Sequence, residues 1–251
     1  MRQGFTLLEL SIVLVIIGLL IGGIFVGQSL IHTAQLNAVI SEFNRYQTAT
    51  QNFKMQYQAL PGDMNNATQF WGSAGGTGSD TVCQAIASTT AATCNGNGDG
   101  FIGISVVWGD ETYRFWQHLA NSKMIEGSYG GSAVWGAWLP GVNVPASRYS
   151  SNVEWIVSPG QWSSGGNTTA FNTDYGTGHA LEIFTNPNAG ITPKDAWSID
   201  KKIDDGKPAL GNVMLQNWSV CTNAANMSDL TATYTLTVTT ASCGLIFLAS
   251  F

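Results

Sequence analysis

Two hydrophobic rhythms divide the first sixty residues. From Leu10 to Ile31 the chain runs without a charged residue and is almost wholly apolar. As a helix this stretch would be about 33 Å long, enough to cross a bilayer. Beyond Ile31 the apolar residues thin to a stripe: Leu36, Val39, Ile40, Phe43, Tyr46, Thr50, Phe53, Tyr57 and Leu60. Steps of three and four mark one face of a helix. Glu42, Arg45, Gln47, Gln51 and Lys54 are read as lying mostly off that face. Pro61-Gly62 ends the pattern, because proline cannot continue a helix. The expectation is one continuous helix over 5–59. Its membrane half is about 7–31, and its second half is amphipathic and packs on a globular head over 60–251.

The head reads as mixed, so the fold class is α+β with an antiparallel sheet and long loops. Glu111 to Met124 looks helical, with Phe115, Trp116, Leu119 and Met124 as its buried side. Thr192-Pro193-Lys194-Asp195 is a helix start, with a capping threonine and proline in the first turn. That helix should run to about Asp204, before Gly206 and Pro208. Val153–Val157, Leu181–Thr185 and the β-branched Thr231–Thr240 read as strands, with Gly244–Phe251 as a further one. Ser73–Ser79 and Ala85–Thr93 are small-residue, loop-like stretches.

One residue at the start of the apolar run needs a reason. Glu9 follows Gly4-Phe5-Thr6-Leu7-Leu8 and lies at the margin of the membrane segment, where a carboxylate is costly. A plain anchor has no use for it. A secretory signal would end in a small-residue cleavage site, which is missing here. The cleavable-looking glycine lies before the apolar run instead. Gly4, Phe5, Thr6, Leu7, Leu8 and Glu9, followed by the apolar helix, resemble the type IV pilin and type II secretion pseudopilin superfamily. The resemblance implies a leader over 1–4 and cleavage between Gly4 and Phe5 by prepilin peptidase, which then methylates Phe5. It implies that Glu9 serves assembly by pairing with the amine of a neighbouring subunit. It also implies that the partners are other pilin or pseudopilin subunits and the membrane. The expected location is the cytoplasmic membrane as a single span with the head outside the cytoplasm, then a pilus or periplasmic pseudopilus. A weaker likeness covers Leu60-Pro61-Gly62-Asp63, Phe70-Trp71-Gly72, Trp116-Gln117-His118-Leu119 and Asp200 to Pro208. These resemble heads of a pilin-like bacterial group and imply no activity. The proline that often kinks pilin helices is missing here. Gly18, Gly22, Gly23 and Gly27 stand in two small-xxx-small pairs instead.

Composition is consistent with an exported protein. The net charge is −6 and only 10% of residues are charged, which argues against nucleic acid as a partner. Lys and Arg do not occur between Arg2 and Arg45, so Arg2 marks the cytoplasmic side. Four cysteines allow three pairings. Local pairing, Cys83 with Cys94 and Cys221 with Cys243, is preferred. The second pair also resembles the C-terminal disulfide loop of pilins.

Candidate chemistry is sparse. Catalytic motifs of the common hydrolase, metalloprotease and nucleotide-binding kinds are missing, so no enzyme activity is expected. His32 is read as a boundary residue, His118 as packed or exposed on a helix, and His179 as a turn residue without a partner. Asp200, Asp204 and Asp205 read as a solvated helix end. Asn95, Asn97 and Asp99 place oxygen at alternate positions of a glycine-rich loop, a weak calcium pattern with little charge. An Asn/Gly turn is the competing reading, and no other cofactor is implied. Trp135, Trp138, Trp155 and Trp162 permit an alternative: a membrane-anchored adhesion or ligand-binding protein that does not polymerise.

Overall fold

A computed structural model describes residues 6–79, 81–103, 111–132, 138–159, 178–184, 190–216, 218–226, 228–241 and 243–251. The fold is α+β. Helix α1 spans Leu7–Tyr57 without interruption. Thr6 caps its N-terminus, and Gln58, in the left-handed region at φ 56°, closes its C-terminus. Short helices α2 (Ala67–Trp71) and α3 (Thr81–Gln84) follow, then α4 (Glu111–Asn121). Strands β1 (Ala146–Ser147), β2 (Ser150–Pro159) and β3 (His179–Phe184) precede α5 (Pro193–Ile203). Strand β4 (Val213–Leu215), α6 (Trp218–Cys221) and β5 (Leu245–Ala249) complete the chain.

The sheet is antiparallel with order β1-β2-β3-β5-β4. Its alternation sorts two sets of side chains. Val153, Trp155, Val157, Leu181, Ile183, Leu245 and Phe247 belong to the main core, shared with α1 and α4. Ala180 and Ile246 form a second small cluster. Glu182 shares their face and is buried too, as the two-residue period of a strand requires.

The stripe on α1 builds the main core. Leu36, Val39, Tyr46, Thr50 and Phe53 are buried, and Ile40, Phe43 and Tyr57 are partly buried. Phe43 stacks on Phe247 at 5.0 Å between ring centroids. Tyr46 meets Trp116 and Trp155 edge-on at 5.0 and 5.5 Å, the preferred geometry for aromatic pairs.

Helix α5 begins as read: the Thr192 hydroxyl accepts from the Asp195 N–H, and Pro193 occupies the first turn. Helix α4 stops at Asn121, so Met124 lies beyond it. Thr185, the last residue of the strand expected over Leu181–Thr185, is outside the described residues.

The strand expected over Thr231–Thr240 does not form. Only an isolated bridge joins Tyr234 to Thr222. Two backbone bonds make that bridge, Asn223 N–H to the Thr233 carbonyl and Thr235 N–H to the Cys221 carbonyl, and side chains hold the rest. Asn223 Oδ1 accepts from Thr233 N–H, and Asp229 accepts from the Thr231 N–H and hydroxyl. Side-chain bonds to nearby backbone compete with ladder pairing and outweigh β-branched propensity here.

Candidate functional site

The start of α1 is built around its one carboxylate. Thr6 and Glu9 form a reciprocal capping box. Glu9 Oε2 accepts from the Thr6 N–H at 2.8 Å and from its hydroxyl at 2.9 Å. The Thr6 hydroxyl in turn accepts from the Glu9 N–H at 3.3 Å. The box ties down donors that a helix start leaves free, and it gives Glu9 partners within its own chain. Gly4 and Phe5 lie outside the described residues.

From Thr6 to Ala34 every residue except Gly27 is exposed. The helix is long and apolar enough to cross a membrane. A Cβ placed at Gly18, Gly22, Gly23 or Gly27 would meet nothing within 4 Å. Both small-xxx-small pairs are therefore open to a second helix.

The other half of α1 is latched to the head by polar groups as well as by its stripe. Glu42, one of the residues expected mostly off the stripe, is buried, 3% exposed. Its carboxylate accepts from the Trp155 indole N–H at 3.0 Å, the Ser147 hydroxyl at 2.9 Å and the Arg148 N–H at 3.0 Å. The signal was present in the sequence: Glu42 is three residues after Val39 and four before Tyr46. That spacing puts it on the buried face. Lower down, His32 Nε2 meets Asp195 Oδ1 at 2.8 Å, and the Tyr149 hydroxyl donates to Asp195 Oδ2 at 2.8 Å. Lys202 donates to Asn37 Oδ1 at 2.7 Å. His32 is thus a half-exposed boundary residue with a partner in the head.

The other histidines are structural acceptors. His118 is fully buried: Nδ1 accepts from the Gly62 N–H at 2.9 Å, and burial brings its pKa down to about 3. His179 is not a partnerless turn residue. It opens β3, and its Nε2 accepts from the Ile102 N–H at 2.9 Å.

The side-chain oxygen atoms of the Asn/Gly loop accept from backbone and amide donors of the loop itself and of α2. Asn95 Oδ1 accepts from the Thr68 N–H, and Asn97 Oδ1 from the Asp99 N–H. Asp99 accepts from the Phe101 N–H and the Asn97 amide. Two carboxylates from outside the loop reach the rest of its backbone. Asp63 accepts from the N–H groups of Gly98, Asp99 and Gly100, and Glu111 from those of Asn97 and Gly103. Burial pushes Glu111 up to about 7, against the pull of those two N–H groups. The loop's backbone donors face carboxyl oxygens.

The acidic end of α5 is not a solvated helix end. Asp200 is fully buried, accepting from the Tyr234 hydroxyl at 2.8 Å and the Gly206 N–H at 3.0 Å. Burial pushes it up to about 7. Asp204 accepts from the N–H groups of Asn212 and Val213. Only Asp205 is exposed, and it pairs with Lys207.

Cys83 is joined to Cys94 and Cys221 to Cys243, with Cα atoms 5.9 and 5.8 Å apart. The first bridge is supported by Arg114, fully buried, whose guanidinium donates to the carbonyls of Cys83 and Ile86. Trp155 is a core residue and Trp138 is packed against the core. Trp135 and Trp162 lie outside the described residues.

Residues 1–25 match the family model of the prokaryotic N-terminal methylation motif, the prepilin cleavage signal of type IV pilins and pseudopilins. The motif implies a structural protein, processing by prepilin peptidase and association with the membrane. No curated protein and no solved structure matches the chain.

Proposed function

We propose that this protein is a structural subunit of a type IV pilus or a type II secretion pseudopilus. On this reading prepilin peptidase removes residues 1–4 and exposes the amine of Phe5. Residues 5–59 then serve as anchor and assembly helix, and 60–251 form the head, held outside the cytoplasm. The subunit leaves the membrane for a filament of pilin or pseudopilin subunits.

The observation that carries this reading is the start of α1. A methylation motif runs into a helix whose apolar surface and glycine pairs have no partner among the described residues. Such a surface is stable only in lipid or against other copies. Glu9 supplies the second half of the argument. Its carboxylate is held by Thr6, the residue next to the proposed new terminus. Cleavage would place a cationic amine beside that cap, and a neighbour's amine could compete for the same oxygen atoms.

The test is direct. Fibres sheared from cells are imaged by electron microscopy, and their subunits are sequenced from the N-terminus. The expected result is fibres containing a chain that begins at a methylated Phe5. A chain that retains Met1, or is cut beyond Ile31, would refute the reading. A correctly cut chain that remains in the membrane and out of all fibres would favour an anchored binding protein.

A further inference from the structure

Helix α5 exposes three lysines, Lys194, Lys201 and Lys202, on a protein whose net charge is −6. Its geometry is fixed by three contacts to α1. Asp195, in the first turn of α5, meets His32, and Lys202, near the end of α5, meets Asn37. Tyr149 joins Asp195 through its hydroxyl and Gln35 through its carbonyl. Helix α5 therefore rises beside α1, with its N-terminus at the level of His32. His32 is the first residue after the apolar run. The step from residue 32 to 37 is about 7.5 Å along the helix. The headgroup layer of a bilayer is about 5–7 Å thick on each side. Most of α5 consequently lies within or just above that layer.

The sequence of α5 looks balanced, but the fold separates the two signs. Asp195 and Asp200 are buried and occupied by His32, Tyr149 and Tyr234. Asp204 turns to backbone N–H groups, and Asp205 pairs with Lys207. Lys194, Lys201 and Lys202 remain exposed and face no carboxylate partner among the described contacts. Lys202 donates to a neutral amide, and Lys201 lies over the Trp197 ring at 4.6 Å. Helical side chains lean toward the N-terminus, which for α5 is toward the bilayer. Trp197 and Tyr149 at the same level are the amphipathic rings that a membrane–water boundary favours.

We propose that this face, centred on Lys194, Lys201 and Lys202, docks on anionic phospholipid headgroups while the subunit waits in the membrane. The proposal rests on the membrane-anchored part of the functional reading, not on filament formation. Each lysine near an anionic surface favours binding about fivefold, and the effect is screened by salt over about a Debye length. The docked face holds the head upright over its own helix.

The full chain, reconstituted in nanodiscs of phosphatidylcholine alone or mixed with phosphatidylglycerol, tests this by amide hydrogen exchange of residues 193–203. Wild type is compared with a triple Lys→Gln variant and a triple Lys→Arg variant at positions 194, 201 and 202, each checked for unchanged melting. The expected result is several-fold slower exchange in the anionic discs, lost in the Gln variant, retained in the Arg variant and weakened by salt. Equal exchange in both lipids overturns the proposal and leaves the anchor intact. Protection that persists in the Gln variant overturns it as well. Protection that appears only when two chains share a disc overturns it in favour of an interface with a second copy. A chain that does not co-elute with the discs overturns both the proposal and the anchor it rests on.

Discussion

Between Leu7 and Ile31 the apolar side chains of α1 are exposed, whereas between Leu36 and Phe53 those on its stripe are buried against the head. The two halves share one unbroken backbone, and their polar groups differ in the same sense as their apolar ones. The lower half holds one carboxylate, satisfied by its own helix cap. The upper half holds Glu42, satisfied by three donors of the head. Helices in globular proteins draw most of their stability from packing an amphipathic face. The upper half has that source within the chain, and the lower half must find it outside. A carboxylate in the upper half should therefore matter to the stability of the subunit, and one in the lower half to association between subunits.

The sharpest test of that division is Glu9→Ala. It removes a cap bond from an exposed helix start, and among the described residues Glu9 bonds only Thr6. Filament yield should fall to background, while membrane insertion and the melting temperature of the head stay as in wild type. Normal fibre yield would break the comparison, because Glu9 would then be only a cap.

Glu42→Ala should do the reverse. It leaves the Trp155 indole, the Ser147 hydroxyl and the Arg148 N–H without their acceptor in a buried place. Loss of a buried, multiply bonded acceptor costs about 4 kcal/mol, about 10 °C in melting temperature for a head of this size. Glu42→Gln keeps one oxygen acceptor and should lose about half as much. Thermal melting of both variants in detergent decides this. A shift within the scatter of surface substitutions would show that the stripe alone holds the head on α1.

Glu182 sharpens the comparison by separating head stability from the helix altogether. It lies in β3 on the second face of the sheet, where Ser158 donates to it, and burial pushes its pKa up to about 7. A carboxyl whose folded pKa is raised holds its proton more tightly in the native state. Its contribution is full below the unfolded value, near 4.5, and is lost as pH rises through about 7. The loss amounts to about 3 kcal/mol on the alkaline side. Glu182→Gln should therefore match wild type near pH 4 and exceed it in stability above pH 8. Denaturant unfolding at both pH values is the measurement. Parallel pH curves for the two proteins would exclude Glu182 as the titrating group.

How much of this was legible in the sequence depended on how local each signal is. The long helix, its stripe, the Thr192 cap and the cores of β2, β3 and β5 follow from periodicity and capping chemistry within a few residues. The fate of Thr231–Thr240 did not, because Asn223 and Asp229 outbid a ladder that the β-branched residues alone would favour. The roles of Glu42, His179 and Asp200 depend on residues 113, 77 and 34 positions away. No window on the sequence brings those partners together. Glu42 could still have been suspected, since a charged residue within an apolar stripe must either break the stripe or be paired.

The loop around Asn95, Asn97 and Asp99 makes the smallest prediction. A calcium site needs several oxygen ligands turned toward one point and enough negative charge to replace water. Here the side-chain oxygens of Asn95, Asn97 and Asp99 each accept a hydrogen bond from within the fold. The nearby carboxylates, Asp63 and Glu111, each accept from backbone N–H groups. A cation would have to displace those donors, and the turn they hold, before it gained its ligands. The two carboxyl groups already fix the loop's backbone, the part that a cation plays in a calcium loop. Melting of the full chain in detergent should therefore be the same with calcium, with magnesium and with chelator. Asp63→Asn, which weakens the acceptor of three N–H groups, should lower the melting temperature equally in all three conditions, by about 1–2 kcal/mol in stability. A rise specific to calcium and lost in Asp99→Ala would reverse this account, since binding to the folded state alone raises its stability by mass action.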